Sequence, residues 1–176
     1  TGTGRYTGTL DVKFTISRLS ISKASAKLSY TKATYSGNLK KPTAAVKLDG
    51  KTLKSGSDYT IVYKNNRNAG TATATIKGKN NYSGSVKKTF KIQRKSIVKF
   101  SAKLSYTFTG YDGSAKKPKV TVKGRFGGSM KTLLSSGTVG SSKVNISYKN
   151  NVNTGKATVQ IIGKGNYTGT IQRKFK

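Results

Sequence analysis

The chain has 176 residues, with 35 Lys and Arg against four acidic residues, no His and no Cys, for a formal net charge of +31. Lacking His and Cys, it has no imidazole base, no thiol nucleophile, neither of the two best transition-metal ligands and no disulfide staple. Its four acidic residues, Asp11, Asp49, Asp58 and Asp112, are dispersed and offer no pair for carboxylate chemistry, so the composition argues against an enzyme and calls for no cofactor, metal or small-molecule substrate.

Residues 1–17 come first. Tyr6, Leu10, Val12, Phe14 and Ile16 alternate with polar residues, and the run matches residues 81–92 and 166–176, in phase at Tyr6, Tyr82 and Tyr167 and again at Phe14, Phe90 and Phe175. The segment reads as the last strand of a preceding repeat, or as a strand that joins subunits by adding to a neighbour's open edge.

Residues 18–93 form a first repeat. Period-two alternation predicts strands through Ala26, Leu28 and Tyr30, through Ala44 and Val46, through Tyr59, Ile61 and Tyr63, and through Ala72, Ala74 and Ile76. No window suits an amphipathic helix, and Gly, Asn, Ser and Thr fall where turns are needed. Residues 94–176 repeat the pattern with Ala102, Leu104 and Tyr106, Val120 and Val122, Val144, Ile146 and Tyr148, and Ala157, Val159 and Ile161. Lys88 and Arg173 fall in the inward register that Val12 occupies, so either their stems lie along apolar surface or a bulge turns them out.

The duplication is explicit in its motifs. Tyr63-Lys64-Asn65-Asn66 returns as Tyr148-Lys149-Asn150-Asn151, 85 positions on, whereas Lys40-Lys41-Pro42 returns as Lys116-Lys117-Pro118, 76 positions on. The nine-residue difference places an insertion in the second copy within 124–143, expected as a lengthened, flexible surface loop. Gly124 to Thr132 lacks the Gly-Lys-Ser/Thr ending of a phosphate loop. Short strands in units of this size predict an all-β fold of tandem immunoglobulin-like β-sandwiches with an extra N-terminal strand.

Gly56-Ser57-Asp58-Tyr59, Gly70 to Gly78, Asn81-Tyr82-Ser83-Gly84 and Phe90-Lys91-Ile92, with Tyr35-Ser36-Gly37 and Tyr111-Asp112-Gly113 each ahead of Lys-Lys-Pro, resemble the Ig-like tandem repeats of bacterial, chiefly Gram-positive, cell-surface proteins. That resemblance implies an extracellular location and a role in a stalk, spacer or adhesin shaft. The second copy departs from it where Lys143 replaces Asp58.

The basic residues are spread along the strands, which repels the molecule from itself and attracts polyanions. Most are Lys, a point charge suited to diffuse, salt-sensitive contact with anionic surfaces or polymers rather than base reading. Lys40, Lys41 and Lys64, with their counterparts Lys116, Lys117 and Lys149, are the candidate contacts. Ser20 to Lys23 and Ser114 to Lys117 fit a Ser-x-x-Lys pattern that a Ser- and Lys-rich chain produces by chance. Asp58 is the one candidate to assist a Lys–Asn isopeptide bond, and Asn81 and Asn166 fit a glycosylation sequon but read as turn residues. No transmembrane run or leader is visible. The expected function is an extracellular structural protein, with a dedicated polyanion-binding module and a filament subunit joined by strand addition as alternatives.

Overall fold

A computed structural model describes residues 3–176. All regular structure among them is β, with strands grouped in several small sheets and no helix. The first copy contributes β1 (Leu19–Ser20), β2 (Ser25–Leu28), β3 (Lys32–Thr34), β4 (Ala44–Leu48), β5 (Lys51–Leu53), β6 (Tyr59–Lys64), β7 (Gly70–Gly78), β8 (Tyr82–Ser83) and β9 (Ser85–Gln93). The second contributes β10 (Lys95–Ser96), β11 (Ser101–Leu104), β12 (Val120–Phe126), β13 (Ser129–Gly137), β14 (Val144–Lys149), β15 (Ala157–Gly163), β16 (Tyr167–Thr168) and β17 (Thr170–Phe175).

The sheet orders repeat. Sheet β2-β4-β5 corresponds to β11-β12-β13, sheet β9-β7-β6 to β17-β15-β14, and the short parallel pair β1-β8 to β10-β16. Only the first copy adds a further strand, β3, parallel to β9. In the second copy the equivalent residues keep the backbone bonds without a strand: Lys176 N donates to Thr107 O, as Lys91 N does to Thr31 O.

Contact density divides the chain into two units, one of Thr1–Lys27, Ala44–Val62 and Thr75–Lys88, the other of Leu28–Thr43, Tyr63–Ala74 and Thr89–Lys176. Each holds one apolar core between facing sheets, which gives the chain its β-sandwich character. In the first unit Val46, Leu48 and Leu53 meet Tyr59 and Ile76, with Ile21 and Tyr82 buried in the same cluster. In the second unit Val120, Val122 and Leu133 meet Val144, Val159, Ile161 and Ile171. Alternation decides which side chains enter: in β15 Ala157, Val159 and Ile161 are buried while Thr158 and Gln160 between them are partly exposed.

Three sequence expectations are settled or corrected by this arrangement. Arg173 keeps the inward register, opposite Val159 with no bulge, and its Nε donates to Ala102 O at 3.1 Å, so its stem lies along the sheet with the head at the edge. Lys88 is exposed. The insertion is not a loose loop: β12 and β13 pair through Phe126↔Ser129 across a Gly127-Gly128 turn, extending the hairpin that Asp49-Gly50 closes in the first copy. Glycine there supplies the positive φ of a tight hairpin turn, +61° at Gly127, as Asp49 and Gly50 do with +48° and +78°. Finally, residues 3–17 form no strand, since a single extended run has no neighbour to share hydrogen bonds with.

At Gly124 an added Cβ would lie 2.3 Å from the Phe100 ring, which packs edge-on against Phe126 at 5.6 Å. Gly124→Ala is therefore expected to cost about 1–3 kcal/mol by overpacking, read as a lower denaturation midpoint with an unchanged slope, whereas Gly128→Ala, with open space around it, leaves the midpoint within about 0.5 kcal/mol.

Candidate functional site

The repeated motifs meet one another in space. Tyr63 and Tyr148 are inward residues of β6 and β14, and their hydroxyls donate to Pro42 O at 2.6 Å and to Pro118 O at 2.7 Å. Beyond each strand the chain reverses through Asn65 and Asn150, at φ +56° and +54°, a left-handed conformation that Asn tolerates. That reversal aims the next side chain backwards: Asn66 Nδ2 donates to Lys40 O and Asn151 Nδ2 to Lys116 O, both at 2.8 Å. Lys40 N and Lys116 N return bonds to Asn66 O and Asn151 O at 2.7 and 2.6 Å. Each Tyr-Lys-Asn-Asn motif is thus a latch closing on a Lys-Lys-Pro segment, and Asn66, 9% exposed, is the one buried polar side chain among the described residues.

The turn before β6 and β14 shows how the repeats diverge. In the first copy Asp58 Oδ2 accepts from Lys54 N at 2.8 Å, fixing the turn. Lys143 cannot do this, and Ser141 Oγ takes over, accepting from Lys143 N and Val144 N at 3.1 and 3.3 Å. The following bonds are conserved between copies: Lys79 N to Asp58 O at 2.9 Å and Lys164 N to Lys143 O at 2.8 Å. Lys79 Nζ and Asn80 Nδ2 donate to the Gly56 and Ser57 carbonyls, not to the Asp58 carboxylate, so these contacts form a turn rather than an isopeptide triad.

The six candidate lysines fall in two groups. Lys40 Nζ donates to Ser36 Oγ at 2.9 Å, and Lys116 Nζ forms an ion pair with Asp112, the one such pair among the described residues. Bonds from Lys116, and then from Ser114, hold the Asp112 carboxyl well below the usual carboxylate range. Lys41, Lys64, Lys117 and Lys149 are exposed. Lys149 and Lys174 flank Thr158 across neighbouring strands on the outward face of β14-β15-β17, and Lys32 lies opposite Lys91 on β3 and β9. The structure gathers no single cationic pocket from the six; they lie on outward faces and at strand ends.

Sequence reasoning missed an aromatic junction in the second unit. Tyr167, 6% exposed, meets Tyr35 edge-on at 5.5 Å and Phe126 at 6.1 Å, with Lys131 Nζ and Lys95 Nζ over the Phe126 ring at 5.5 and 5.8 Å. Beside it Asn166 accepts from Ala69 N at 2.7 Å and donates to Asn68 Oδ1 at 3.1 Å, so this sequon-like Asn of the second repeat is bonded to the Asn68-Ala69 turn of the first. Phe126 belongs to the insertion, and its place in alternation with Val120, Val122 and Gly124 was the signal that the insertion is ordered. The Ser114 and Ser20 hydroxyls donate to Asp112 and to Ser22, with no lysine on either. Among the described residues there is no group of three or more side chains suited to a metal ion, and no helix long and apolar enough to cross a membrane. No known protein family, curated protein or solved structure matches the chain at a significant level.

Two outcomes follow from these contacts. Tyr148→Phe strips the buried Pro118 carbonyl of its donor and is expected to cost about 1–3 kcal/mol in denaturant unfolding. The Tyr167 hydroxyl is pushed up from 10.0 to about 12, first by burial and then by Tyr35. Its folded pKa lies above the unfolded one, so the stabilisation is complete below pH 10 and is lost as pH rises towards about 12. Ultraviolet titration of tyrosinate should show Tyr167 ionising late, and Tyr35→Phe should bring it down part of the way.

Proposed function

We propose that the chain is a non-enzymatic structural protein of the bacterial cell surface, built from two tandem Ig-like β-sandwich repeats, residues 18–93 and 94–176, within a stalk, fibre or adhesin shaft, whose basic surface rests against anionic polymers. The observation that carries this reading is the duplicated latch. The residues most strongly repeated in the sequence, Tyr63, Asn66, Tyr148 and Asn151, spend their polar atoms on the protein's own backbone, which is what duplication for architecture requires and what a ligand site would avoid. The resemblance to extracellular repeats supports the location, and a chain without Cys suits an exported protein that never relied on disulfides.

The charge supports the second half of the reading. With one ion pair among the described residues, the lysines on the outward strand faces remain available to phosphate polymers, acidic glycans or extracellular DNA, through counterion release rather than shaped recognition. A dedicated polyanion-binding module is the competing reading, favoured by the Lys149, Thr158 and Lys174 row on one sheet face.

Retention on heparin, DNA and teichoic-acid resins over a salt series separates the two. Diffuse contact predicts steep, parallel loss on all three, complete by about 0.5 M salt. It also predicts that Lys64→Glu with Lys149→Glu shifts elution no more than Lys47→Glu with Lys77→Glu, four exposed positions of like kind. Retention beyond that salt on one resin alone, abolished by the first pair and not the second, would establish the dedicated module instead.

A further inference from the structure

One groove of the second unit is far more basic than the matching positions of the first copy. Arg94, Lys95, Lys99 and Arg125 line a single open groove of about 510 Å³, with Val98 and Phe100 as its apolar lining. At the offset of 76 that relates the front halves of the repeats, the first copy has Arg18, Leu19, Lys23 and Asp49 in place of the four cations. Two cations and an acid have thus become four cations. No acidic residue among the described residues lines the groove, and the Lys99 ammonium and Arg125 guanidinium have no hydrogen-bond or ion-pair partner among them. In a chain of net charge +31 such a gathering adds to self-repulsion, and a concave wall focuses the field on whatever anion enters.

The backbone that carries these cations is fixed. β10 pairs with β16, Lys95 opposite Tyr167 and Ser96 opposite Thr168. Phe100 N then donates to Ile97 O at 2.8 Å, closing a tight turn that holds Val98 and Lys99 at its tip. The Phe100 ring is buried edge-on against Phe126 and above Gly124, which pins that turn to β12 beside Arg125. Two of the charged heads are steered as well. Arg94 Nη2 donates to Gly163 O at 3.2 Å, leaving its other N–H groups for an anion, and Lys95 Nζ lies 5.8 Å from the centre of the Phe126 ring. Cations held in place before a ligand arrives spare it much of the cost of ordering them.

We infer that this groove seats the phosphate groups of a phosphodiester-linked polyol chain, a local seat within the diffuse attraction proposed above, on which it rests. Phosphate fits the donor set. Its oxygens surround one small centre and can be shared among several donors, and two of the four cations are Arg, whose planar fork binds such oxygens in pairs. A carboxylate offers two oxygens in one plane and would leave part of the set unmatched. The apolar lining answers the rest of the ligand. Val98, 59% exposed where the first copy has Ser22, suits the methylenes of a polyol. Phe100 is 7% exposed, so the groove presents no aromatic face on which a base could stack, and single-stranded nucleic acid loses its main source of affinity there.

Short probes read the groove and not the whole surface. A glycerol phosphate trimer, a capped triglutamate of like charge and a thymidine trinucleotide are each titrated into the full chain at about 0.15 M salt and followed by amide shifts in NMR. The expected result is that the glycerol phosphate trimer moves the amides of residues 94–100 and 124–126 most and binds about tenfold more tightly than triglutamate. Lys99→Gln with Arg125→Gln should weaken it about tenfold, whereas Lys47→Gln with Lys77→Gln, an equal loss of charge at exposed positions elsewhere, should weaken it less than about twofold. Arg125→Asp, which installs the first copy's residue, should weaken it more than Arg125→Lys, with the denaturation midpoint showing each variant folded. Triglutamate bound as tightly would overturn the phosphate assignment, and a trinucleotide bound as tightly or more so would overturn the polyol. A trimer that does not bind, or shifts spread over both repeats with equal losses from the two glutamine pairs, would overturn the groove and leave diffuse polyanion contact standing. Failure of the chain to hold to the long-polymer resins at low salt is the separate result that removes the reading beneath it.

Discussion

The fold depends on one repeated constraint: the carbonyls of a Lys-Lys-Pro segment, which cannot pair within a sheet, must find donors from elsewhere. Pro42 and Pro118 are fully buried, and a buried carbonyl without a donor is costly. Tyr63 and Tyr148 supply hydroxyls to the prolines, and Asn66 and Asn151 supply amides to the preceding lysines. The connection between β3 and β4, and its counterpart before β12, is thereby fastened to the end of β6 or β14. Without cysteine to do this covalently, the clasp is made of hydrogen bonds, and its components are the residues that the duplication preserved most faithfully.

The same economy explains where the copies differ. Asp58 and Ser141 fix equivalent turns through different oxygens, one a carboxylate four residues from its partner amide, the other a hydroxyl two and three residues away. Lys40 with Ser36 and Lys116 with Asp112 make one contact in neutral and in ionic form. The long hairpin of the second copy is the one true addition, and it carries Phe126 into the stack with Phe100 and Tyr167. In a molecule this basic, the two lysines set over that ring show cations accommodated by aromatic faces in place of the acids the composition lacks.

Much of this was legible from residues alone. Period-two alternation placed β6, β7, β14 and β15 and named their inward side chains, because a half-buried sheet forces apolar residues to one face and has no other way to satisfy the pattern. The insertion was misread as a loose loop because its Gly-Gly pair was weighed as flexibility, although a glycine pair between alternating runs is equally the mark of a two-residue hairpin. The latch was invisible in advance for a different reason. Tyr63 and Pro42 are bound across 21 positions, and no local rule brings a turn asparagine to a distant lysine carbonyl; only the coincidence that both motifs were duplicated hinted at a shared purpose. The Tyr35 and Tyr167 contact joins residues far apart in sequence, beyond the reach of any local pattern.

The central claim is that the duplicated motifs hold the protein together rather than hold a ligand. It is tested most directly by replacing Asn66 and Asn151 together with Ala and measuring, on the same sample, the denaturation midpoint and the salt concentration that elutes the chain from heparin. The account predicts a clear fall in the midpoint, from two severed latches, with elution unchanged while the chain is folded. A variant as stable as the parent that elutes at markedly lower salt would contradict it, and would make the asparagines part of a binding site.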